Sequence, residues 1–504
     1  MLDVLAVTIC DPFFLLLVFL GTVLGIVFGA IPGLNTPVAI ALVLPITYTL
    51  NIPYTCGLLM GVFMGGVSGG LISAILLNIP GTASAIATVL DGHPMAKQGR
   101  GAQALAIGTF VSFIGGIFSA VVLACFTPLL SKFALQFGPW EYFGVTLFAL
   151  TLVITLMEGK AIKGLISTLI GLLLATVGMS PIDGTQLRFT FGNLNLAGGF
   201  DIILVVIGLY AFSEILVTVG ELKEDKQLIQ YEKKWFYYPN FKDLKGQGGN
   251  IVRSSILGTL IGILPGIGAT VAGMFSYTQA KRFSKHPEKF GTGCVDGIVA
   301  SETANNAVTG GALVPLLALS VPGDPSTAVI LGAFMIQGIS CGPLLITQHM
   351  DVFQTVLVAV FVANIFMYVV QAGTIRWTSQ LLLVPKYILM PLIVAFCSMG
   401  AFTVNNRLFD LYVLLVFAVI GFILKDNDYP LMPMVLAFIL GDLIEPYFRR
   451  SVLYYKGNLL NAFTSFSLGT LFVVLAVLSP FIGMAYDRYK KKKRAQAVSA
   501  EGGE

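Results

Sequence analysis

Residues 300–311 read ASETANNAVTGG, and three of them, Glu302, Asn305 and Asn306, stand in a run that is otherwise apolar or small. An ionisable side chain is expensive to place in a long apolar run, so such positions mark ion or substrate sites. On a helix Glu302 and Asn306 share a face at i and i+4. Glu302 could hold a proton or a sodium ion there, and the amides of Asn305 and Asn306 could bind substrate or offer oxygens to a cation. The alternative is a helix start at the membrane interface, capped by Ser301 or Thr303, with Asp296 and Lys289 close before it. A second kind of chemistry lies in four Pro-Gly pairs, Pro32-Gly33, Pro80-Gly81, Pro265-Gly266 and Pro322-Gly323. Each is followed by small or polar residues: Asn35 and Thr36, then Thr82 and Ser84, then Gly268 and Thr270, then Asp324, Ser326 and Thr327. Proline and glycine interrupt a helix, and the N-terminus of the next one presents unpaired N–H donors that suit an anion, above all a carboxylate.

The candidate substrate residues are therefore Gly33, Asn35, Thr36, Pro80, Gly81, Thr82, Ser84, Gly266, Gly268, Thr270, Asn305, Asn306, Gly323, Ser326 and Thr327. Glu302, Asp324 and the weaker Asn78 are the candidates for ion coupling. A simpler account of such glycines is close helix packing, as in the four-residue spacings of Gly21, Gly25 and Gly29 or of Gly57, Gly61 and Gly65. Asp91 with His93, in LDGHPMAKQGRG, reads as a cytoplasmic turn.

The elements that must hold these residues belong to a membrane. The 504 residues are 56% hydrophobic and 11% charged, with mean hydropathy +0.86, where soluble domains carry about 25% charged residues. Apolar runs near 13–31, 57–78, 104–130, 142–157, 161–179, 201–220, 351–375, 387–403, 410–424, 430–444 and 461–486 reach or approach a bilayer span, which takes about 20 helical residues. They are apolar all round, without the alternation of a β-barrel. An all-α polytopic membrane protein of about 11–12 transmembrane segments follows, since helices alone then satisfy the backbone in lipid. The six cysteines and three histidines are scattered and form no CxxC, HExxH or Ser-His-Asp pattern, so neither a metal framework nor a disulfide set is expected. The basic tail YDRYKKKKR suits anionic lipid rather than nucleic acid. Because the first Lys or Arg is Lys97, the N-terminus does not resemble a cleaved signal, and the first helix is expected to stay.

The chain repeats itself. Gly25–Ala39 and Gly258–Ala272 share GxxxGxxPGxxxxVA, and Gly69–Ala85 resembles Gly311–Ala328 around a central Pro-Gly. Residues 1–220 and 251–486 are read as two related bundles, joined by a polar cytoplasmic linker over 221–250 and followed by a cytoplasmic basic tail over 487–504. Counting lysines and arginines places the linker, with Lys223, Lys226, Lys233, Lys234, Lys242 and Lys245, inside and the N-terminus outside. Arg449, Arg450 and Lys456 alone disagree, softened by Asp442 and Glu445. The first bundle then starts outside and the second inside, an inverted repeat. Arg253 and Lys281 would both lie inside although 27 residues separate them, too few for two crossings of about 20 each. A re-entrant hairpin turning at Pro265-Gly266 satisfies both ends, and a single kinked helix is the alternative. Inverted repeats with broken helices are the build of secondary transporters, with substrate where the broken elements meet.

With GAIPGLNTPVAIALVLP, NIPGTASAIATVLDGHPMAKQGRGAQAL, PGIGATVA and ASETANNAVTGGALVPLLALSVPGDPSTAVILGA in this order, the chain resembles the large membrane subunit of the tripartite tricarboxylate transporter family, the TctA type, over about residues 12–486. The resemblance implies a bacterial inner-membrane symport system working with a small four-helix membrane subunit and a periplasmic solute-binding protein. It implies uptake of carboxylates such as citrate, driven by an ion gradient, and suggests an elevator-like movement; a homodimer is compatible with it. No basic residue lies deep in the apolar runs, so carboxylate recognition would rest on helix N-termini, Ser, Thr, Asn and a bound cation. That favours Na+ as the co-ion, with H+ carried on Glu302 or Asp324 as the other choice. A membrane-embedded enzyme needs a nucleophile–base or metal cluster, and a passive anion channel needs charged or carbonyl rings. Neither pattern is visible, and no GxxxxGK[ST] loop occurs.

Overall fold

A computed structural model describes residues 8, 10–155, 160–180, 184, 186–219, 229–384, 386–464 and 467–481. The basic tail, the linker lysines Lys223 and Lys226, and residues 482–486 lie outside the described residues. The fold is helical apart from a two-stranded antiparallel ribbon, β1 (Gly178–Met179) on β2 (Leu187–Arg188), with Gly178 opposite Arg188. Among the described residues six helices are long and apolar enough to cross a membrane, and other apolar runs form helices of 10–17 residues. The runs near 142–157, 161–179, 201–220, 387–403 and 461–486, which form shorter helices, account for the difference from the run count.

The chain divides into two compact units, Met1–Leu135 with Ile203–Phe422, and Gln136–Ile202 with Ile423–Glu504. These units do not follow the boundaries of the two sequence repeats. Each draws segments from both.

The first unit opens with α1 (Pro12–Ala30), capped by Asp11, whose carboxylate accepts from the Phe13 N–H at 2.9 Å. After the Pro32-Gly33 break comes α2 (Thr36–Thr47), capped by the Asn35 side chain on the Val38 N–H at 3.1 Å. The long α3 (Ile52–Leu77) follows. A Cβ on Gly25 would strike the Val62 carbonyl and one on Gly61 the Val18 carbonyl. The glycine spacings therefore serve close packing, and they set α1 and α3 side by side in the same direction. Phe13 and Tyr54, near the starts of the two helices, stack edge to face at 4.8 Å. α2 must therefore return between them, so residues 12–47 form a helical hairpin.

The second half repeats this arrangement. α9 (Gly248–Ile263) ends before Pro265-Gly266 and α10 (Gly268–Phe283) follows. The intervening helices of this numbering are α4 (Ile86–Met95), α5 (Gly101–Ala134), α6 (Pro139–Thr155), α7 (Ala161–Ala175) and α8, which runs from Ile202 to Val219 through a π-helical turn at Ile207–Phe212. The Ser276 hydroxyl donates to the Ser254 hydroxyl at 2.8 Å, and the Arg253 guanidinium lies 5.5 Å from the Phe283 ring. Twenty-two residues of straight helix would separate the two serines by about 33 Å, so 248–283 is a hairpin and not a kinked helix. Gly266 sits at its tip with φ 83°, the left-handed region that glycine enters without penalty. α11 (Val295–Leu319) lies parallel to α9, since a Cβ on Gly258 would meet Ala304 and one on Gly262 would meet Val308.

Both long helices end alike. Asn78 after α3 and Ser320 after α11 adopt left-handed φ values of 60° and 59°, closing each helix. The Pro-Gly segment then runs back along the helix it has left: the Gly81 N–H donates to Gly70 at 3.3 Å, and Gly323 abuts Ala312. α4 and α12 (Pro325–Ile336) start from there. Then come α13 (Pro343–Gln348), α14 (Met350–Leu381), α15 (Lys386–Asn405), α16 (Leu408–Asp426) and α17 (Leu431–Tyr454), followed by the shorter helices Leu460–Thr464 and Leu468–Phe481. α5 packs along α11, and α14 along α3, where Ser68 and Gln371 bond at 2.6 Å. The start of α3 lies beside Gln337, at the end of α12, which follows α11. The finish of α3 lies beside α4, whose Asp91 meets the loop before α11. α3 and α11 thus run in opposite senses.

The second unit packs α6 and α7 on α17 around Leu150, Val153, Leu436 and Leu440. A Cβ on Gly171 would meet the Met434 carbonyl, so glycine again sets the helix spacing. Glu445 accepts from Arg188 and Arg449, each at 2.8 Å.

Candidate functional site

Glu302 lies two turns inside α11, fully buried. The interfacial helix start considered from the sequence is excluded: Cys294 is the cap residue, and the Ser301 hydroxyl bonds backward to the Gly297 carbonyl at 2.9 Å. The carboxylate accepts from the Thr88 hydroxyl of α4, from the Ser112 hydroxyl of α5 at 3.0 Å and from the Asn306 amide at 3.4 Å. Thr88 also meets Ser301 at 3.3 Å, and the Asn306 nitrogen donates to Ser112 at 2.8 Å. Three helices converge on one carboxylate. No cation faces it at ion-pair distance among the described residues. Neutral donors soften a buried negative charge without neutralising it, so such a group calls for a proton or a bound cation.

Backbone approach makes the convergence possible. A Cβ on Gly115 would strike the Thr303 carbonyl and one on Gly310 would strike Ser119. Both glycines let α5 press against α11, which brings Ser112 within reach of Glu302. Asn305 is equally buried, and neither its nitrogen nor its oxygen has a hydrogen-bond partner. Thr303 and Ser255 also carry orphaned buried hydroxyls. Leaving such groups unpaired is unfavourable by roughly 1–3 kcal/mol each, and sites that bind and release a polar guest are where such groups belong.

The Pro-Gly breaks gather in pairs. Within the second half the Gly266 N–H donates to the Gly323 carbonyl at 2.9 Å, so the Pro265-Gly266 and Pro322-Gly323 turns touch. Within the first half a Cβ on Gly81 would meet the Gly29 carbonyl, close before Pro32-Gly33. The pairs also cross between halves. Gly273 of α10 lies near the carbonyls of Ser84 and Ser301, which brings the 80–84 break, α10 and the Glu302 helix together. Thr82 and Ser84 share a hydroxyl contact of 2.8 Å there. α12 lies along α2, with the Gln337 amide donating to the Thr47 carbonyl near the ends of both helices.

Asp324 has a local role. It caps α12, accepting from the Thr327 N–H and hydroxyl, each at 2.7 Å, while the Thr327 hydroxyl reaches back to the Asp324 backbone. Thr36 packs against Gly66, Ser326 is buried, and Gly268 and Thr270 begin α10 half-buried. Asn78 is exposed at its helix end and is not among the Glu302 carboxylate's partners.

Three residues with no sequence signal matter here. Thr88 and Ser112 are ordinary hydroxyls in apolar runs, and only the fold shows that they share a carboxylate. Tyr210 sits in the π turn of α8, and its buried hydroxyl has no hydrogen-bond partner. Asp91 is a correction: it is no solvent-facing turn but a helical, fully buried residue. One oxygen takes the N–H groups of Gly291, Gly293 and Cys294 at 2.8–2.9 Å, and the other takes the Tyr277 hydroxyl at 2.9 Å. Those four donors replace water, and the nearby turn falls instead at Gly99, φ 77°. Among the described residues no group of three or more His, Cys, Asp or Glu could hold a metal ion.

Residues 15–436 match the family model described as the tripartite tricarboxylate transporter TctA family. The chain is 34% identical to an uncharacterized 52.8 kDa protein of the TAR-I ttuC' 3'region of Agrobacterium vitis, over 91% of this chain and 92% of that one. It is also 34% identical to an uncharacterized protein of the TAR-II ttuC' 3'region of the same organism, over 44% of this chain and 94% of that one. No solved structure matches.

Proposed function

Because the chain belongs to the tripartite tricarboxylate transporter TctA family, as a multi-pass membrane component of a transport system, we propose that it takes up small di- and tricarboxylates such as citrate by coupling them to an ion gradient. The carrying observation is the Glu302 network: a buried carboxylate served only by neutral donors, with an unpartnered Asn305 amide beside it. A monovalent cation at Glu302 would cancel its negative charge, so that the carboxylate no longer repels an anionic substrate at the neighbouring Pro-Gly breaks, whose helix N-termini add N–H donors. Oxygen donors from Glu302, Thr88, Ser112 and Asn305 suit a hard ion such as Na+, and a proton on Glu302 is the other way to discharge the site.

The opposed directions of α3 and α11, together with the two similar hairpins, support reading the halves as an inverted repeat. The family supports a small membrane subunit and a periplasmic solute-binding protein as partners in a bacterial inner membrane, with the N-terminus periplasmic and the C-terminus cytoplasmic. Counterflow of labelled citrate and related acids in proteoliposomes, with partner subunits and with or without Na+, tests the reading. Ion-dependent exchange is expected. Flux of equal size after the ion gradient is collapsed would point to a passive channel, and no exchange with any acid of the panel would remove carboxylates as cargo.

A further inference from the structure

At the open end of the α9–α10 hairpin, the loop before α9, both hairpin arms and the loop before α11 enclose a cavity of about 500 Å³. Four cations line it, Lys245, Arg253, Lys285 and Lys289, against one acid, Asp296. None of the four makes an ion pair among the described residues. Arg253 is the organised one. One of its nitrogens donates to Asn250 at 2.7 Å and its guanidinium carbon lies over the Phe283 ring at 5.5 Å, while its Nε is buried without a partner. A guanidinium held in this way keeps N–H groups in reserve for a two-oxygen anion. The three lysines, all exposed, add charge around it.

An apolar track leads away from the same cavity. Val252, Ile256, Leu260 and Leu264 are each 43–55% exposed at four-residue spacing along α9, and Phe283 at the cavity rim is 67% exposed. Cations lining a cavity and an apolar stripe running from it along the helix are the two halves of a phospholipid contact: phosphate at one end, acyl chain along the other. The geometry points to a binding site for an anionic phospholipid, with its phosphate among Arg253, Lys285 and Lys289 and a chain along the outer face of α9. A soluble phosphate compound would satisfy the cations and leave the stripe unused, which is why the lipid is the occupant assigned. The site shares no residue with the Glu302 network and does not depend on the transport reading. Because both arms of a Pro-Gly hairpin contribute to it, an occupied site would tie the arms together at their base.

The test uses the full-length protein in phosphatidylcholine nanodiscs, with spin-labelled phosphatidylglycerol as probe and spin-labelled phosphatidylcholine as control. A motionally restricted fraction is expected for phosphatidylglycerol beyond that of the control. Lys285→Gln and Lys289→Gln, both on exposed loop residues, should each weaken the association roughly fivefold, and Arg253→Gln should weaken it further. Leu260→Ser should weaken the lipid as well, separating it from a purely ionic contact. Equal restriction of both lipids, or lysine variants indistinguishable from the parent, would overturn the site. Displacement of the labelled lipid by millimolar inorganic phosphate would reassign it to a soluble anion and overturn the lipid assignment.

Discussion

Asp91 and Glu302 are both fully buried carboxylates, and both are met by groups from the opposite half of the chain. Their surroundings differ in kind. Asp91 receives three backbone N–H groups and a tyrosine hydroxyl, at 2.8–2.9 Å throughout. Backbone donors cannot rotate away, so this charge is held in one place and stabilises the loop that leads into α11. Glu302 is met by rotatable hydroxyls and a carboxamide, with orphaned polar atoms on Asn305 and Thr303 nearby. Hydroxyls can turn their oxygen or their hydrogen toward a guest. One carboxylate is finished by its fold, and the other is left to be completed. Burial alone therefore does not separate the two carboxylates; the nature of their donors does, and it is on that difference that the proposed role of Glu302 rests.

The largest expected effect comes from Glu302→Gln, which keeps shape and removes the charge. Ion-driven uptake should fall to background while the melting temperature of the purified protein holds or rises, and retained uptake would show that Glu302 belongs with Asp91. Asp91→Ala should give the reverse pattern. It leaves four donors without their acceptor, of which the Gly293 N–H and the Tyr277 hydroxyl are buried and are each unfavourable by about 1–3 kcal/mol, so the folded yield and thermal stability should drop. Full stability in that variant would mean the donors find water, and the contrast would fail. Asn305→Ala comes next: because its amide bonds to nothing, uptake should be lost with stability unchanged, whereas Asn306→Ala should lose both uptake and some stability, since Asn306 bonds Ser112 at 2.8 Å. Gly115→Ala should separate α5 from α11 and weaken apparent ion affinity more than substrate affinity, read from the two concentration dependences of uptake.

The smallest effect provides the baseline. Asp428 and Lys160 pair at 2.8 Å in the open, and the lysine's hydrogen bond and charge hold the aspartate below its ordinary value. A carboxylate depressed in the folded state stabilises above its unfolded pKa and loses that contribution as pH falls through the folded one. Asp428→Asn should therefore change the melting temperature little at neutral pH, because the pair is exposed, and whatever difference it makes should vanish as the pH falls below about 4. A large effect at neutral pH would show that this surface pair is more than an exposed one.

Much of this architecture could be read from the chain. The hairpin at Pro265-Gly266 was legible because Arg253 and Lys281 carry like charge at both ends of a segment too short for two crossings. The depth of Glu302 was legible because charge in an apolar run is conspicuous. The rest depends on which helices meet. Thr88 and Ser112 lie 214 and 190 residues from Glu302, and a hydroxyl in a membrane helix commonly bonds its own backbone, so nothing local distinguishes these two. Asp91 was misread because an acid beside a histidine and a proline looks like a turn, while its donors come from a loop 200 residues away. The run count overestimated the long spans because several runs, such as those near 142–157 and 161–179, form helices of only 17 and 15 residues.

The discontinuous composition of the second unit bears on how the chain is made. Its α6 and α7 leave the ribosome early, whereas their partner α17 begins at Leu431. During roughly half of synthesis those two helices must wait in the bilayer with glycine-lined faces such as that of Gly171 uncovered, open to insertion factors or to proteases. Chains truncated anywhere before residue 431 should therefore be removed by quality control as a class, whatever the state of the part already assembled.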